Sequence, residues 1–308
     1  MVDSNRVNIA HDDRQKQQHG DPVGSQLRPS TAAQGVRIQL MHEGPARVQI
    51  SRNIFSTVKG ILFDLDGVLH IGDEPIAGAI EALHHVKSRG IKCIFVTNTT
   101  TKSLEGLYQK IAAMSLPIEK NEIFSAPQAA VHYLRQIGNP TLHLILKDDT
   151  KKDFEEFQLS DSNPDFVVLG DIGKSWDYVL LNRIFRMIID GATLVALHKG
   201  RYWQTEDGLQ LDIGVFVAGL EYATGKRAII MGKPSPQFFL TSLQRIGLQP
   251  EEVIMIGDDI ESDIGGAQNV GMRGILVRTG KYRDELVTRS SVTPDAILSS
   301  VAELTCYL

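Results

Sequence analysis

From Val58 onward, short apolar runs alternate with longer stretches of helical period. Val58 to Phe63 is an apolar run closing on acids, the pattern of a strand buried on both faces. Pro75 opens an amphipathic stretch with Ile76, Ile80, Leu83 and Val86 on one face, and Gly90 closes it. Ile91 to Val96 predicts a second buried strand, and Leu104 to Met114 another helix. The alternation returns late in the chain. Strands are predicted at Ala228–Met231, Val253–Ile256 and Gly274–Val277, and helices at Pro236–Ile246 and Ser262–Val270. Strands and helices in this order predict a parallel, doubly wound sheet.

The middle of the chain has its own set of signals. Leu142–Leu146, Phe166–Leu169 and Leu194–Leu197 read as strands, and Trp176–Ile189 and Val215–Ala223 as helices. About 100 residues suffice for a separate small domain. Residues 1–53 are rich in Gln, Asp, Arg, Gly, Ser and Pro and lack apolar periodicity until Val36, which predicts a disordered or loosely attached extension. Asp3, Asp12 and Asp13 speak against a transit peptide. The expected division is therefore the extension 1–53, a core from 54–124 and 227–308, and an inserted domain at 125–226.

Composition narrows the function classes. A net charge of -5 and no basic run argue against nucleic acid as a partner. No apolar run has the length of a membrane span. The two cysteines, Cys93 and Cys306, form no metal-binding or disulfide framework, so a reducing, cytoplasmic setting is expected.

Three polar markers follow apolar strands: Asp64, Thr97 and Asp258. In open α/β sheets ligands bind outside the carboxyl ends of strands, so these three can converge although far apart in sequence. Asp64 and Asp66 are two carboxylates separated by one residue, with Gly67 behind them to turn the backbone. At ~4 Å apart they repel by roughly 4 kcal/mol at an effective dielectric of 20. A divalent cation removes that cost, and oxygen ligands suit magnesium. One carboxylate suits attack on phosphorus and the other acid/base work. A solvated acidic turn would carry the same residues. Asp258 can complete a cation site, and Asp263 and Asp259 can orient ligands from behind; Asp259 equally suits a plain helix cap. Thr97 and Asn98 precede a helix, a place that suits either an anion or ordinary capping. Lys233, fixed between Gly232 and Pro234, can hold a phosphate or stand exposed.

These four segments together resemble the haloacid dehalogenase-like hydrolases: DLDGV at 64–68, TN at 97–98, GKPSP at 232–236 and GDDIESD at 257–263. The resemblance covers about residues 55–300. It implies a doubly wound, Rossmann-like parallel-sheet core with a smaller α/β cap domain inserted between Thr97 and Lys233. It implies Asp64 as nucleophile and Asp66 as general acid/base. Magnesium would be held by the Asp64 side chain, the Asp66 carbonyl and Asp258, and the phosphate by Thr97, Asn98 and Lys233. One turn, one helix and one strand fill the stretch from Asp64 to Thr97, so the extra domain falls in the longer gap before Lys233. That is similar to the NagD-like subgroup with a large α/β cap.

His198 to Trp203, with Asp207-Gly208-Leu209 and Leu220 to Thr224, resembles one branch of that subgroup. It holds phospholysine phosphohistidine inorganic pyrophosphate phosphatase and haloacid dehalogenase-like hydrolase domain-containing protein 2. Members often carry a Gly-Pro-Gly turn where this chain has Asp212-Ile213-Gly214.

The expectation is a magnesium-dependent phosphatase for a small phosphorylated compound: a phosphomonoester, with pyrophosphate or a phosphoramidate implied by the branch. A phosphotransferase using the same intermediate and a non-catalytic phosphate-binding protein are the alternatives. No membrane or nucleic-acid partner is expected. The subgroup is compatible with a homodimer through the cap, and His198 to Trp203 are candidates either for substrate contact or for packing.

Overall fold

The computed structural model describes residues 52–205 and 208–308. The extension expected over residues 1–53 lies outside them, apart from 52–53. Two parallel sheets organise the chain. The core sheet contains β1 (Gly60–Asp64), β2 (Lys92–Thr97) and β3 (Ile123–Ser125) on the N-terminal side of the insertion. The cap sheet contains β4 (Leu142–Ile145), β5 (Phe166–Leu169), β6 (Thr193–Ala196) and β7 (Ile229–Ile230). The core sheet is completed by β8 (Val253–Gly257), β9 (Arg273–Val277) and β10 (Ala296–Leu298).

The core order is β10-β9-β8-β1-β2-β3, with every pairing parallel. β1 therefore lies at the centre, where the strand order reverses, and its carboxyl end opens the crevice in which α/β sheets bind ligands. All five β1 residues are buried. Ile61 and Phe63 face one hydrophobic cluster, where Phe63 stacks on Phe95 at 5.6 Å, while Leu62 faces the other. That burial on both faces explains the unbroken apolar run in the sequence.

The cap order, β7-β6-β5-β4, is also fully parallel. The inserted α/β cap and the doubly wound core are thus as expected. β7 falls in the stretch read as core, yet it pairs with β6 in the cap sheet. Leu62, Ile94 and Phe238 share one apolar cluster with Leu142, Val168 and Val195, so the two sheets are joined by packed side chains.

Local differences from the sequence reading have identifiable causes. Pro75 does not open a helix. Glu74–Pro75 pairs with His70–Ile71 in a small antiparallel arm, an edge position that tolerates the missing N–H. The helix begins instead at Ala79, after Gly78 turns the chain at φ 79°. The helix read at Ser262–Val270 begins as a π-helical turn, Ile260–Gly265, continuing as Gly266–Gln268. Among the described residues no helix is long and apolar enough to cross a membrane.

Candidate active site

β1 ends on Asp64, which is buried. The Gly232–Pro236 loop brings in Lys233, 4% exposed, and its Nζ lies 2.6 Å from Asp64 Oδ1 and 2.6 Å from Asp263 Oδ1. One ammonium thus sits between two carboxylates. Asp64 Oδ2 accepts no hydrogen bond from any described residue. It is therefore the oxygen that Lys233 leaves unengaged.

β8 ends just before Asp258, which is 2% exposed. Its Oδ2 accepts the Lys281 backbone N–H at 2.7 Å, and its Oδ1 is buried without a partner. Gly67 and Gly280 enclose this carboxylate at φ +84° and +63°, and a Cβ on either would stand 2.0 Å from Oδ2. No other residue type fits there. Carboxylate oxygens of Asp64, Asp258 and Asp263 lie within 4.8 Å of one another. Burial, followed by the attraction of Lys233 and the repulsion of Asp263, leaves Asp64 pushed up to about 7. Burial, then Asp64 and Asp263, holds Asp258 well above the usual carboxylate range. Burial would lower Lys233, but the pull of Asp263 and Asp64 outweighs it, so its ammonium is held charged. An orphaned buried oxygen amid converging hard donors fits a magnesium ion.

The π-helical turn explains how Asp263 arrives. Asp259 Oδ1 accepts the Glu261 and Ser262 N–H groups, acting as a cap. The turn then swings Asp263 back, where its Oδ2 accepts the Asp259 N–H at 3.1 Å. A Cβ on Gly257 would strike the Asp263 side chain at 2.2 Å, so the strand end must be glycine.

Asp66 occupies a different setting. Its side chain is 55% exposed, and its Oδ2 accepts from Thr99 Oγ1 at 3.2 Å. Buried His70 lies 3.5 Å from Asp66 Oδ1 and donates from Nδ1 to Gly72 O at 3.0 Å. Burial lowers the His70 pKa. Thr97, 2% exposed, places Oγ1 2.8 Å from Thr99 Oγ1. Asn98 is committed to the Lys233 loop: its Nδ2 donates to Lys233 O at 2.9 Å and its Oδ1 accepts Lys233 N–H at 2.8 Å. The Lys233–Pro234 bond is cis.

Asp64, Asp258, Asp263 and Lys233 therefore meet in one cluster, with Asp66, Thr97 and Thr99 at its edge and Asn98 and Asp259 bracing its loops. Sequence reading missed Thr99, His70, Gly280 and Lys281. Gly280-Lys281 follows β9 as the other markers follow their strands, and that placement was the available signal. Thr99 and His70 carry no comparable signal.

In the cap, His198 is 7% exposed and its Nδ1 accepts the Gly200 N–H at 3.1 Å, with Asp212 Oδ2 3.6 Å away. Burial lowers its pKa; Asp212 opposes that, and Lys281 from the core reinforces it. Asp212, standing where the branch often has its glycine-proline turn, is thus the anion beside this histidine. Lys199 is turned to Glu221, and Tyr202 is 48% exposed. The Trp203 side chain lies outside the described residues.

Two family models match the chain: a haloacid dehalogenase-like hydrolase over residues 61–160 and a HAD-hydrolase-like model over residues 230–304. Haloacid dehalogenase-like hydrolase domain-containing protein 2 of Homo sapiens is 45% identical over 227 residues, covering 73% of this chain and 86% of that protein. Phospholysine phosphohistidine inorganic pyrophosphate phosphatase of Danio rerio is 38% identical over 258 residues, covering 82% and 94%. The crystal structure of 4-nitrophenylphosphatase from Thermotoga maritima superposes with a TM-score of 0.77 at 26% identity, covering 82% of this chain and 98% of that one.

Proposed function

We propose, from the premise that the chain belongs to the haloacid dehalogenase-like hydrolases, that it is a magnesium-dependent phosphatase working through an aspartyl-phosphate on Asp64. The supporting observation is the contrast between its two neighbouring aspartates. Asp64 is buried, is held at one oxygen by Lys233 and leaves the other free. Asp66 is half exposed and held by Thr99. Two carboxylates in unlike settings suit two roles.

Asp64 Oδ2 attacks phosphorus, the bond to the leaving oxygen breaks, and Asp66 supplies that oxygen with a proton. Asp66 then takes a proton from water, which attacks the phosphorus and frees Asp64. Thr97 and Lys233 hold the phosphoryl oxygens, and Asn98 keeps the Lys233 loop in place. Asp263 fixes the Lys233 ammonium from behind. Asp64, Asp258 and the Asp66 carbonyl would hold magnesium, which neutralises charge on the acids and the phosphate.

The substrate class is a small phosphorylated compound. Its range extends to phosphoramidates and pyrophosphate on the likeness to the Danio rerio protein, whose name states those substrates. Exposed Tyr178, Val179 and Tyr222 support a homodimer through the cap as part of this reading, and the free Cys93 and Cys306 support a cytoplasmic setting. Purified protein with magnesium should release phosphate from 4-nitrophenyl phosphate, and Asp64→Asn should not. Undiminished release by that variant would remove the nucleophile from this scheme.

A further inference from the structure

The cap sheet meets the core at strand ends. β4, β5 and β6 each finish on a contact with a loop of the active site. After β4, buried Thr150 donates from Oγ1 to Thr100 O at 2.7 Å. After β5, the Asp171 N–H donates to Thr100 Oγ1 at 2.9 Å. After β6, Leu197 O accepts the Gly232 N–H at 2.8 Å. β7 itself runs directly into Gly232 and Lys233, and its register against β6 is Ile229 with Val195 and Ile230 with Ala196.

Two further bonds hold the next turn of chain. Asp149 accepts the Ser103 N–H at 2.9 Å, and Asp153 accepts the Leu104 N–H at 3.1 Å, at the start of the Leu104–Ala113 helix. Irregular backbone beside a buried site needs partners for its polar groups. Here the cap supplies them.

We infer that the carboxyl edge of the cap sheet sets the geometry of both phosphate-facing loops, with Thr150 and Thr100 as positioning residues; this rests on the reading of Thr97 and Lys233 given above. The path is continuous. Thr150 and Asp171 fix Thr100, three residues beyond Thr97. Asn98 ties that loop to the Lys233 backbone at 2.8 and 2.9 Å. Lys233 reaches Asp64 at 2.6 Å. A Cβ on Gly232 would meet Asn98 Oδ1 at 2.4 Å and Leu197 O at 2.7 Å, so core loop, lysine loop and cap strand are in close contact at one residue. A cap that swung freely off the core would break the Thr150, Asp171 and Leu197 bonds. The cap is therefore part of the frame of the site.

The test compares Thr150→Val, which keeps the shape and loses the hydroxyl donor, with Thr150→Ser, which keeps the donor. Inhibition by inorganic phosphate, kcat and the magnesium activation midpoint are measured on the full chain, with thermal midpoints recorded. Thr150→Val should weaken phosphate inhibition about fivefold and lower kcat about tenfold through loop displacement. The magnesium midpoint should stay unchanged, and Thr150→Ser should behave as the parent. A folded Thr150→Val with parental phosphate inhibition and kcat overturns the inference. So does a Thr150→Ser that fails equally, because the role would then be packing. Thr100→Val removes the acceptor of the Asp171 N–H and gives an independent second reading should Thr150→Val not fold. Thr97→Ala is the control. If it leaves phosphate inhibition unchanged, the assignment of the loop itself falls. If it weakens inhibition while both valine variants do not, only the positioning inference falls.

Discussion

The core and cap sheets share one architecture, parallel strands whose carboxyl ends meet around the candidate site, yet they present different chemistry there. The core strand ends carry charge: Asp64 after β1, Asp258 after β8, with Lys233 and Asp263 between. The cap strand ends carry groups that hold loop segments: Thr150, the Asp171 N–H, Leu197 O and the Asp149 and Asp153 carboxylates, with His198 beyond. Charges gathered around one point suit a reacting phosphoryl group, whereas hydrogen bonds to backbone fix loops. On the proposed function, that division gives bond-breaking to the core and loop geometry to the cap.

Variants can break or sharpen this division. Asp64→Asn should reduce phosphate release about a thousandfold or more, measured as free phosphate from an aryl ester; a loss smaller than about tenfold would place the nucleophile elsewhere. Lys233→Met leaves Asp64 and Asp263 together without a counter-charge. Activity should fall about a hundredfold, and denaturant unfolding should show a loss of about 3–5 kcal/mol from the broken buried pair. If Lys233→Met were harmless to both, the core would not depend on its charge balance. The cap variant Thr150→Val should fall below these in effect, at about tenfold in kcat.

Protons sharpen the comparison further. Asp64 titrates at about 7 because burial raises it, so protons compete with magnesium as pH falls through that value. The magnesium-induced rise in thermal midpoint should need about tenfold more magnesium at pH 6 than at pH 8. A pH-independent requirement would mean that Asp64 is already ionised throughout. In the cap, burial lowers His198 below its unfolded value of 6.5. The unfolded chain then binds the proton first, so the histidine costs stability as pH falls below 6.5 and costs nothing above it. His198→Asn should flatten the acid side of the stability profile, read from unfolding midpoints at pH 5 and 7.5. An unchanged acid slope would show that the ring is not the buried neutral base described.

Most of the core was legible in the sequence. Its strands are buried on both faces and read as unbroken apolar runs; Phe166–Leu169 in the cap was equally clear for the same reason. Charged residues directly after such runs marked Asp64 and Asp258. Ile123–Ser125 escaped notice because three residues carry no period, and the helix Ala126–Ile137 after it was not foreseen. β7 was read as a strand but given to the core, because two residues do not declare which sheet they join. In the site, the acids and the lysine stood out by type. Thr99, His70 and Thr150 are ordinary residues whose roles arise only from what folding places beside them.

The central position of β1 also orders events during synthesis. Lys59 pairs with Glu252 across 193 positions of chain, and β1 pairs with β8 over the same interval. While the ribosome is still making the cap, β1 can find β2 on one side and nothing on the other. Its run of Ile61, Leu62 and Phe63 stays an open strand edge until β8 emerges. Asp64, the proposed nucleophile at the end of that strand, is among the first parts of the site to be made, and Asp258 beside it among the last.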